Sequence, residues 1–443
     1  MKYKLIAILI FLFSSNGWTQ NGFQFETNKK KISIPFKFIN NLIIIPIQVN
    51  GVSLNFMVDT GVEETILFSV DETDGVSFSK IEKVRIKGFG SNEAFDAYKS
   101  DNNKLEIKNY IDNNHNIYLV LDQNINISSQ VGVPVNGIIG SKLFQNNCVK
   151  IDYISKRIVI YNKNEKQLIS AIKNYYSYPI QLVQGKPYLN VNAFFNTEKQ
   201  PLNAKLLIDT GNTDAFWFFK HKDKGIEIPI KNIDDFLGRG FSGDVFGKRG
   251  RIPSISIGNY NFKDPIAAFP DTIATSDIDK IEGRLGSVGS EVMRRFSTIY
   301  DYNNNLIYLK KNSNYKESFS FNMSGVEVQH QGLQWITETY KSNTVVNNNL
   351  FDANGNKLEN NLKYRFELKP IYVIANVRKD SPAAIAGLKK EDVIVTINNQ
   401  NGYNFTLEKI NELLKSEEGK SIEFEIDRKG KIMKFRFQLK NIL

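Results

Sequence analysis

The chain has 443 residues, enough for roughly two to four domains, and its 41% apolar and 12% aromatic content excludes wholesale disorder. The 57 Lys and Arg residues exceed the 47 Asp and Glu residues, but the excess is spread along the chain, so we do not expect a nucleic-acid partner. The single cysteine, Cys148, and three distant histidines exclude an intramolecular disulfide and the common Cys and His metal sites. We therefore predict neither a metal nor a cofactor, and expect carboxylates to supply any catalytic acid and base.

The first twenty residues have the order of a secretory signal peptide. Lys2 and Lys4 precede an apolar run at 5–13, and a polar stretch follows at 14–17. About nine apolar residues are too few to span a bilayer, and the alternative of a buried N-terminal strand leaves the two lysines unexplained. We therefore predict export to the periplasm or the cell exterior, with no membrane span in the mature chain.

Two stretches of the chain repeat one pattern. Apolar strands at 42–58 lead into Asp59-Thr60-Gly61. The same order recurs at 188–208, where the strands lead into Asp209-Thr210-Gly211. In both copies a glycine that follows apolar residues lies at nearly the same distance downstream. A repeat on this scale predicts two homologous lobes rather than a solenoid, whose period is roughly 20–50 residues.

Two Asp-Thr-Gly turns suggest a pair of carboxylates, Asp59 and Asp209. Two carboxylates within a few ångströms cannot both ionise readily, so one pKa rises and the pair shares a proton. One carboxylate can then deprotonate a water that attacks an amide carbonyl, while the other protonates the carbonyl oxygen. Glycine lets the backbone approach the carboxylate closely. The alternative is that both aspartates are ordinary turn residues, which the tripeptide also favours.

From 32 to 310 the chain resembles the aspartic peptidases of the pepsin and retropepsin type, in which each of two lobes contributes one Asp-Thr-Gly aspartate. The resemblance implies that Asp59 and Asp209 form a catalytic dyad that cleaves a peptide or protein substrate. The residues implied to support the dyad are Thr60, Gly61, Thr210, Gly211 and Asn212. A glycine-rich flap over the cleft is also implied, and its candidate residues are Gly88, Gly90, Tyr98, Gly238 and Gly240. Since one chain carries both halves of the site, we expect a monomer.

Three positions depart from the family pattern. Val62 and Asn212 stand where the family usually has Ser or Ala, and Ser287 replaces an apolar residue of the downstream motif. An exported aspartic endopeptidase is the leading interpretation, and a catalytically inactive, two-lobed peptide-binding protein is the alternative. A Ser/His/Asp hydrolase is disfavoured because the chain has no nucleophile-elbow glycine pattern.

The last part of the chain matches neither copy of the repeat. Its pattern predicts alternating strands and helices, with strands at 371–377, 392–397, 421–426 and 431–439 and helices at 381–388 and 407–414. The run from Ser381-Pro382-Ala383-Ala384 to Ile397-Asn398 resembles a bacterial PDZ domain. The resemblance implies a groove that takes a peptide as an added strand, with the peptide's C-terminal carboxylate near 369–371. The implied groove residues are Pro370, Ile371, Tyr372, Val373, Leu407 and Ile410.

The predicted fold class is mainly β, with a bilobal aspartic-peptidase-like double β-barrel and a small α+β PDZ-like domain. The predicted segments are a signal peptide at 1–20, lobe 1 at 21–165, lobe 2 at 166–311, a linker at 312–324 and the PDZ-like domain at 325–443. The expected partners are a peptide or protein substrate and, in the PDZ groove, a peptide C-terminus, which would recruit a substrate or another protein.

Overall fold

The computed structural model describes residues 22–68, 75–86, 94–121, 127–162, 165–196, 200–220, 224–240, 243–271, 281–341, 354 and 362–443. The predicted signal peptide at 1–20 and the candidate flap residues Gly88 and Gly90 lie outside these ranges. Within the described ranges, no helix has both the length and the apolar content that a membrane span requires.

Lobe 1 consists of strands that are joined mainly by tight turns. The strands are β1 Gln24–Phe25, β2 Lys31–Pro35, β3 Lys37–Ile39, β4 Leu42–Val49, β5 Val52–Val58, β6 Thr65–Leu67, β7 Ile81–Ile86, β8 Phe95–Ile107, β9 Tyr110–Leu119, β10 Gly137–Ile139, β11 Cys148–Asp152 and β12 Arg157–Tyr161, and helix α1 Ile127–Val131 precedes β10. Its main sheet has the order β1-β9-β6-β10-β5-β4-β8-β7, with β3 beside β4. A further pairing of β8 with β9 closes the strands from β9 to β8 into a barrel.

Strand β4 shows why the sequence forms this barrel. Its two faces are both buried, because Ile43 and Ile45 point into the main core while Leu42 and Ile44 pack in a second apolar cluster. The turn between β4 and β5 is Asn50-Gly51, and both residues have a positive φ (49° and 92°), as a two-residue hairpin turn requires.

Lobe 2 repeats this plan after helix α2 Glu165–Ile172. Its strands are β13 Tyr176–Pro179, β14 Gln181–Val183, β15 Lys186–Phe194, β16 Leu202–Asp209, β17 Phe216–Phe218, β18 Asn232–Gly240, β19 Gly243–Arg251, β20 Ser254–Ile257, β21 Tyr260–Lys263, β22 Ile266–Pro270, β23 Arg284–Gly289, β24 Phe296–Asp301 and β25 Leu306–Lys311, and helix α3 Ser290–Met293 follows β23. Its main sheet has the order β18-β19-β22-β17-β23-β16-β15-β20-β21, with β14 beside β15.

The two lobes pair the strand that leads into each aspartate in the same way. In lobe 1, β10 runs parallel to β5 and antiparallel to β6. In lobe 2, β23 runs parallel to β16 and antiparallel to β17 in the same way. Asp59 and Asp209 therefore come at the ends of equivalent strands.

A sheet shared by both lobes joins them. Its order is β13-β25-β24-β11-β12-β2, so three strands come from each lobe. The central strands β11 and β24 pair antiparallel, with Ile151 opposite Thr298. These two strands are equivalent in the repeat, so their pairing relates the lobes by an approximate twofold axis.

The C-terminal domain is a mixed structure of strands and short helices. Its elements are β26 Val326–Lys341, β27 Leu362–Val377, α4 Pro382–Ala386, β28 Val393–Ile397, β29 Gln400–Asn401, α5 Leu407–Leu414, β30 Ser421–Arg428 and β31 Lys431–Gln438. The sheet order is β26-β27-β28-β30-β31, with β29 beside β28. Helix α4 begins where the Ser381 side chain accepts a hydrogen bond from the N–H of Ala384 (3.2 Å), and it ends at Gly387, whose φ is 101°.

The predicted peptide groove on β27 is wrong, because β27 is not an edge strand. Pro370 and Ile371 pair with β26, and Tyr372 and Val373 pair with β26 on one side and β28 on the other. The predicted carboxylate-binding loop at 369–371 is therefore part of a strand ladder. The edge strands of this sheet are β26 and β31, and β26 contacts both α5 and helix α1 of lobe 1, so the edge beside α5 belongs to β26 and not to β27.

The remaining groove candidates are core residues. Tyr372, Val373, Leu407 and Ile410 are all buried. Tyr372, Leu407 and Ile410 belong to the main apolar core, which fixes α5 against the sheet.

Residues 312–324, the predicted linker, are packed rather than free in solvent. Phe319, Phe321 and Met323 are buried. The buried guanidinium of Arg295 donates to the backbone carbonyl of Glu317 and lies 4.0 Å from the centre of the Phe319 ring. This segment therefore fixes the C-terminal domain to lobe 2.

We expect Arg295→Met to lower the free energy of unfolding by about 3 kcal/mol, because it leaves the backbone carbonyl groups of Glu291 and Glu317 without their guanidinium donor and removes one of the cations that bind the Glu291 carboxylate. Urea denaturation measures the change. The matched control is Arg436→Met, which removes an exposed pair with Glu423 and should cost at most about 1 kcal/mol. Equal effects of the two substitutions would contradict the anchoring role of Arg295.

Candidate active site

Hydrogen bonds between the two Asp-Thr-Gly turns connect the lobes. The hydroxyl of Thr60 donates to the carbonyl of Ile208 (2.7 Å), and the hydroxyl of Thr210 donates to the carbonyl of Val58 (2.9 Å). Each hydroxyl also accepts from the opposite threonine's N–H, at 3.0 Å and 3.1 Å. Both threonines are fully buried, so the two turns are held in one fixed arrangement.

The same turns bring the carboxyl groups of Asp59 and Asp209 into hydrogen-bond contact. The N–H of Gly61 donates to Asp59 Oδ1 (2.7 Å), and the N–H groups of Gly211 and Asn212 donate to Asp209 Oδ1 (3.1 Å each). Glycine is required because a Cβ on Gly211 would lie 2.2 Å from Asp59 Oδ2, and one on Gly61 would lie 2.8 Å from the Asp209 carboxyl carbon.

The environments of the two carboxyl groups differ. Burial, and then the charge of Asp209, raise the pKa of Asp59 well above its ordinary value of 3.8. Burial also raises the pKa of Asp209, but the guanidinium of Arg284 and the N–H groups of Asn212 and Gly211 act in the opposite direction. The charge of Arg284 therefore favours the ionised form of Asp209 and leaves Asp59 as the better site for the shared proton.

Arg284 is not among the predicted site residues. The only sequence signal for it is Ser287, whose hydroxyl accepts a hydrogen bond from Arg284 Nη2 (3.0 Å). An apolar residue at 287, as in the family pattern, would leave this guanidinium without that acceptor.

Val62 and Asn212, which depart from the family pattern beside the dyad, do not push its two carboxyl groups apart. Val62 packs against the second apolar cluster of lobe 1, and its carbonyl accepts from the N–H of Ser141 (2.8 Å). The side-chain oxygen of Asn212 accepts from the N–H of Asp214 (2.9 Å) and so caps the turn. Both side chains stabilise the turns instead of binding the carboxylates.

The dyad lies in a cleft of about 1700 Å³. The lobe 2 hairpin β18–β19 lines this cleft and includes the candidate flap residues Gly238 and Gly240. Tyr98 lies on β8, paired with Lys83 of the β7–β8 hairpin and with Leu119 of β9, and it is not among the described residues that line the cleft, so its role as a flap residue stays a prediction.

The C-terminal domain forms one wall of the same cleft. Glu327 and Gln329 of β26 and Asn411 of α5 line it together with the two aspartates. The side-chain amide of Asn411 donates to Asn40 of lobe 1 (3.1 Å). The C-terminal domain and the two aspartates therefore share one cleft.

A chain of ion pairs connects the C-terminal domain to lobe 2. Arg378 contacts Asp235 of β18 (3.4 Å), and Asp235 also binds Arg249 of β19 (2.8 Å). Arg249 in turn binds Asp214, which lies just beyond the second Asp-Thr-Gly turn. Burial and the charge of Asp235 raise the pKa of Glu327, the neighbouring carboxyl group in the cleft wall, to about 7.

The loop before the edge strand β26 satisfies its own backbone N–H groups. Asn322 Oδ1 accepts from the N–H of Ser324 (3.1 Å) and of Gly325 (3.2 Å), and the hydroxyl of Ser324 accepts from the N–H of Val326 (3.0 Å). A peptide carboxylate could reach these donors only by displacing Asn322. This geometry favours an internal peptide segment over a free C-terminus.

Lobe 1 also contains a threonine–histidine–aspartate chain. Thr65 Oγ1 lies 2.6 Å from His115 Nε2, and His115 Nδ1 lies 2.7 Å from Asp112 Oδ2. All three side chains are buried and are not among the residues that line the cleft. The chain is therefore a structural hydrogen-bond network in the described part of the protein.

No group of three or more His, Cys, Asp or Glu residues in the described ranges has an arrangement that could hold a metal ion.

Comparison with known proteins identifies the C-terminal domain. Residues 373–428 match the family model of the PDZ domain. No curated protein matches the chain in sequence. Among solved structures, the chain is similar to the aspartic proteinase from Irpex lacteus, with 12% identity, 65% of this chain and 99% of that chain covered, and a TM-score of 0.40. The predicted fold class, a mainly β two-lobed chain followed by a PDZ-like domain, is confirmed.

We expect Thr60→Val and Thr210→Val each to lower the free energy of unfolding by about 1–2 kcal/mol, because each leaves a buried carbonyl and a buried N–H without a partner. The double variant should cost less than the sum, since the two hydroxyls share one network. Thermal and urea denaturation measure both effects. The control is Thr337→Val on the exposed part of β26, which should leave the free energy of unfolding unchanged. If the double variant lost as much stability as the sum of the Thr60→Val and Thr210→Val losses, the shared network would be contradicted.

Proposed function

We propose that the protein is an exported aspartic endopeptidase that hydrolyses peptide bonds with Asp59 and Asp209. The observation that carries the proposal is the contact between two buried carboxyl groups, one from each lobe, that are held by the crossed threonine hydrogen bonds. An ordinary pair of turn aspartates would be exposed and separate. The sequence signal at 1–20 supports export.

The proposed mechanism uses the asymmetry of the pair. Asp209, ionised beside Arg284, takes a proton from a water that attacks the peptide carbonyl. Asp59 donates its proton to the carbonyl oxygen, so that no oxyanion accumulates. Collapse of the tetrahedral intermediate then returns a proton from Asp209 to the departing amine nitrogen, and Asp59 recovers its proton from the hydroxyl group. No covalent enzyme intermediate is formed.

The PDZ-like domain has a part in substrate binding under this proposal. Gln329 and Asn411 line the cleft that contains the dyad, and a substrate segment added along the edge strand β26 would lie beside helix α1 of lobe 1, which contacts that strand. Because Asn322 occupies the N–H groups of the preceding loop, the bound segment is an internal, extended part of the substrate.

A non-catalytic peptide-binding protein is the competing function. The observation that would favour it, a dyad crowded by Val62, is absent, since the Val62 side chain packs on the lobe 1 cluster while the carboxyl groups remain in contact.

We expect Asp59→Asn and Asp209→Asn each to reduce peptide cleavage by at least about a thousandfold, because an amide can neither hold the shared proton nor accept one from water. Mass spectrometry of a diverse peptide library, incubated across acidic to neutral pH, measures cleavage. In the parent, the rate should fall at high pH as Asp59 loses its proton, and this limb should lie well above pH 3.8 because the pKa of Asp59 is raised.

The matched control is Asp96→Asn, which makes the same chemical change at an exposed aspartate paired with Lys83. This variant should cleave like the parent. Absence of cleavage by the parent at every pH, or cleavage by both dyad variants at the parent's rate, would refute the catalytic proposal.

We expect Gln329→Trp to raise KM at least about fivefold for long peptides and to leave cleavage of short peptides unchanged, because the larger side chain narrows the cleft at the PDZ-like wall and not at the dyad. Steady-state kinetics with a nested series of peptide lengths measures the effect. The control Gln334→Trp, at an exposed site farther along the same strand, should have no effect. If Gln329→Trp acted equally on short and long peptides, the PDZ-like domain would not be a separate part of the substrate site.

A further inference from the structure

Two cationic side chains stand in the wall of the cleft near the dyad. Arg284 is the first residue of β23, and Lys186 is the first residue of β15. Both side chains are partly exposed and line the same cleft as Asp59 and Asp209. Neither cation takes part in the proposed proton transfers.

Arg284 is held in place by neutral groups. Its Nε donates to the carbonyl of Gly286 (3.3 Å) and its Nη2 donates to Ser287 (3.0 Å). Its guanidinium carbon lies 5.3 Å from the centre of the Phe219 ring and 6.0 Å from that of Tyr188. The guanidinium is therefore fixed in orientation, but it forms no ion pair with a carboxylate in the described part of the chain.

Lys186 is positioned by a tight turn that crosses toward lobe 1. Gln184 and Gly185 both have a positive φ (50° and 70°), and a Cβ on Gly185 would lie 2.9 Å from the hydroxyl oxygen of Ser141. The side-chain amine of Lys186 makes no hydrogen bond or ion pair with the described residues. Glu63 of lobe 1 acts on it from beyond ion-pair distance.

The two cations are electrostatically unfavourable as they stand. Burial is the largest cause that lowers the pKa of Lys186, and the charge of Arg284 lowers it further. Burial also lowers the pKa of Arg284. The charges of Glu63 and Asp209 act on Lys186 in the opposite direction, as does that of Asp209 on Arg284, but none of these carboxylates forms an ion pair with either cation in the described part of the chain. An additional anion between them would relieve both the desolvation and the mutual repulsion.

We propose that Arg284 and Lys186 form a subsite for the carboxylate of an Asp or Glu side chain in the substrate, close to the scissile bond. The proposal rests on the proposed peptidase function and specifies its substrate class. A guanidinium whose planar edge is fixed by Ser287 can bind a carboxylate with two parallel hydrogen bonds, and Lys186 adds a point charge. A neutral Gln or Asn in the same place would give neither cation a carboxylate in direct contact.

Paired peptides that differ only by Glu or Gln at one position test the proposal. At one position near the cleaved bond, the parent should show a kcat/KM at least about tenfold higher for Glu than for Gln. Lys186→Met and Arg284→Met should each bring this ratio close to one, and Lys186→Glu should reverse it in favour of Lys-containing peptides. Lys205→Met is the matched control, because Lys205 lies over the Tyr188 ring (5.2 Å) but does not line the cleft.

Arg284→Met has a second readout that a merely structural role would not give. Because Arg284 lowers the pKa of Asp209, its removal should raise that pKa and shift the acidic limb of the rate profile to higher pH. Lys205→Met should leave the acidic limb in place. Thermal denaturation of the Lys186→Met and Arg284→Met variants, compared with the parent and with Lys205→Met, shows whether the fold is intact.

Binding separates this proposal from the catalytic one. Fluorescence anisotropy of labelled Glu and Gln peptides with the Asp59→Asn variant measures affinity without cleavage. A Glu preference in binding by a parent that does not cleave would support the subsite and refute the peptidase. Cleavage by the parent with no Glu preference at any position, or a preference that survives both Met substitutions, would overturn the subsite and leave the peptidase standing.

Discussion

The crossed hydrogen bonds between Thr60 and Thr210 are the constraint on which the site depends. Each hydroxyl donates to the strand that leads into the other turn and accepts from the other threonine's N–H. Because all of these groups are buried, neither turn can move without leaving polar groups unpaired. The two carboxyl groups are therefore held in a contact that free aspartates would avoid by repulsion. The six-strand sheet, with three strands from each lobe, also joins the two lobes.

An arrangement with approximate twofold symmetry becomes chemically asymmetric through its surroundings. Backbone N–H groups bind both carboxyl groups, but the charge of Arg284 lowers the pKa of Asp209, whereas the charge of Asp209 raises the pKa of Asp59. Beyond the dyad, the ion pairs from Asp214 through Arg249 to Arg378 join the second turn to the PDZ-like domain. The cleft wall formed by the PDZ-like domain and the second Asp-Thr-Gly turn are thus parts of one connected structure.

The features of the structure that the sequence predicts are those with local signals. The repeated strand and Asp-Thr-Gly pattern, the Asn50-Gly51 hairpin and the Ser381 helix start all depend on neighbouring residues, and they predict the lobes, the dyad candidates and the PDZ-like helices. Other features depend on contacts between distant segments. They are the edge position of β26, the packing of 312–324 around Arg295 and the placement of Lys186. Single-sequence patterns do not encode such contacts. Ser287 was a visible departure whose meaning required its partner, Arg284.

In the mechanism that we propose, the buried pair shares one proton and Asp59 holds it. Carbon-13 NMR of protein labelled at the aspartate carboxyl carbons, recorded across pH for the parent and for Asp209→Asn, tests it most directly. One carboxyl group should remain protonated well above pH 3.8 in the parent, and its pKa should fall in the variant yet stay raised, because the charge of Asp209 is lost while the burial remains. Two groups that both titrate near 3.8, with no response to the substitution, would contradict the claim.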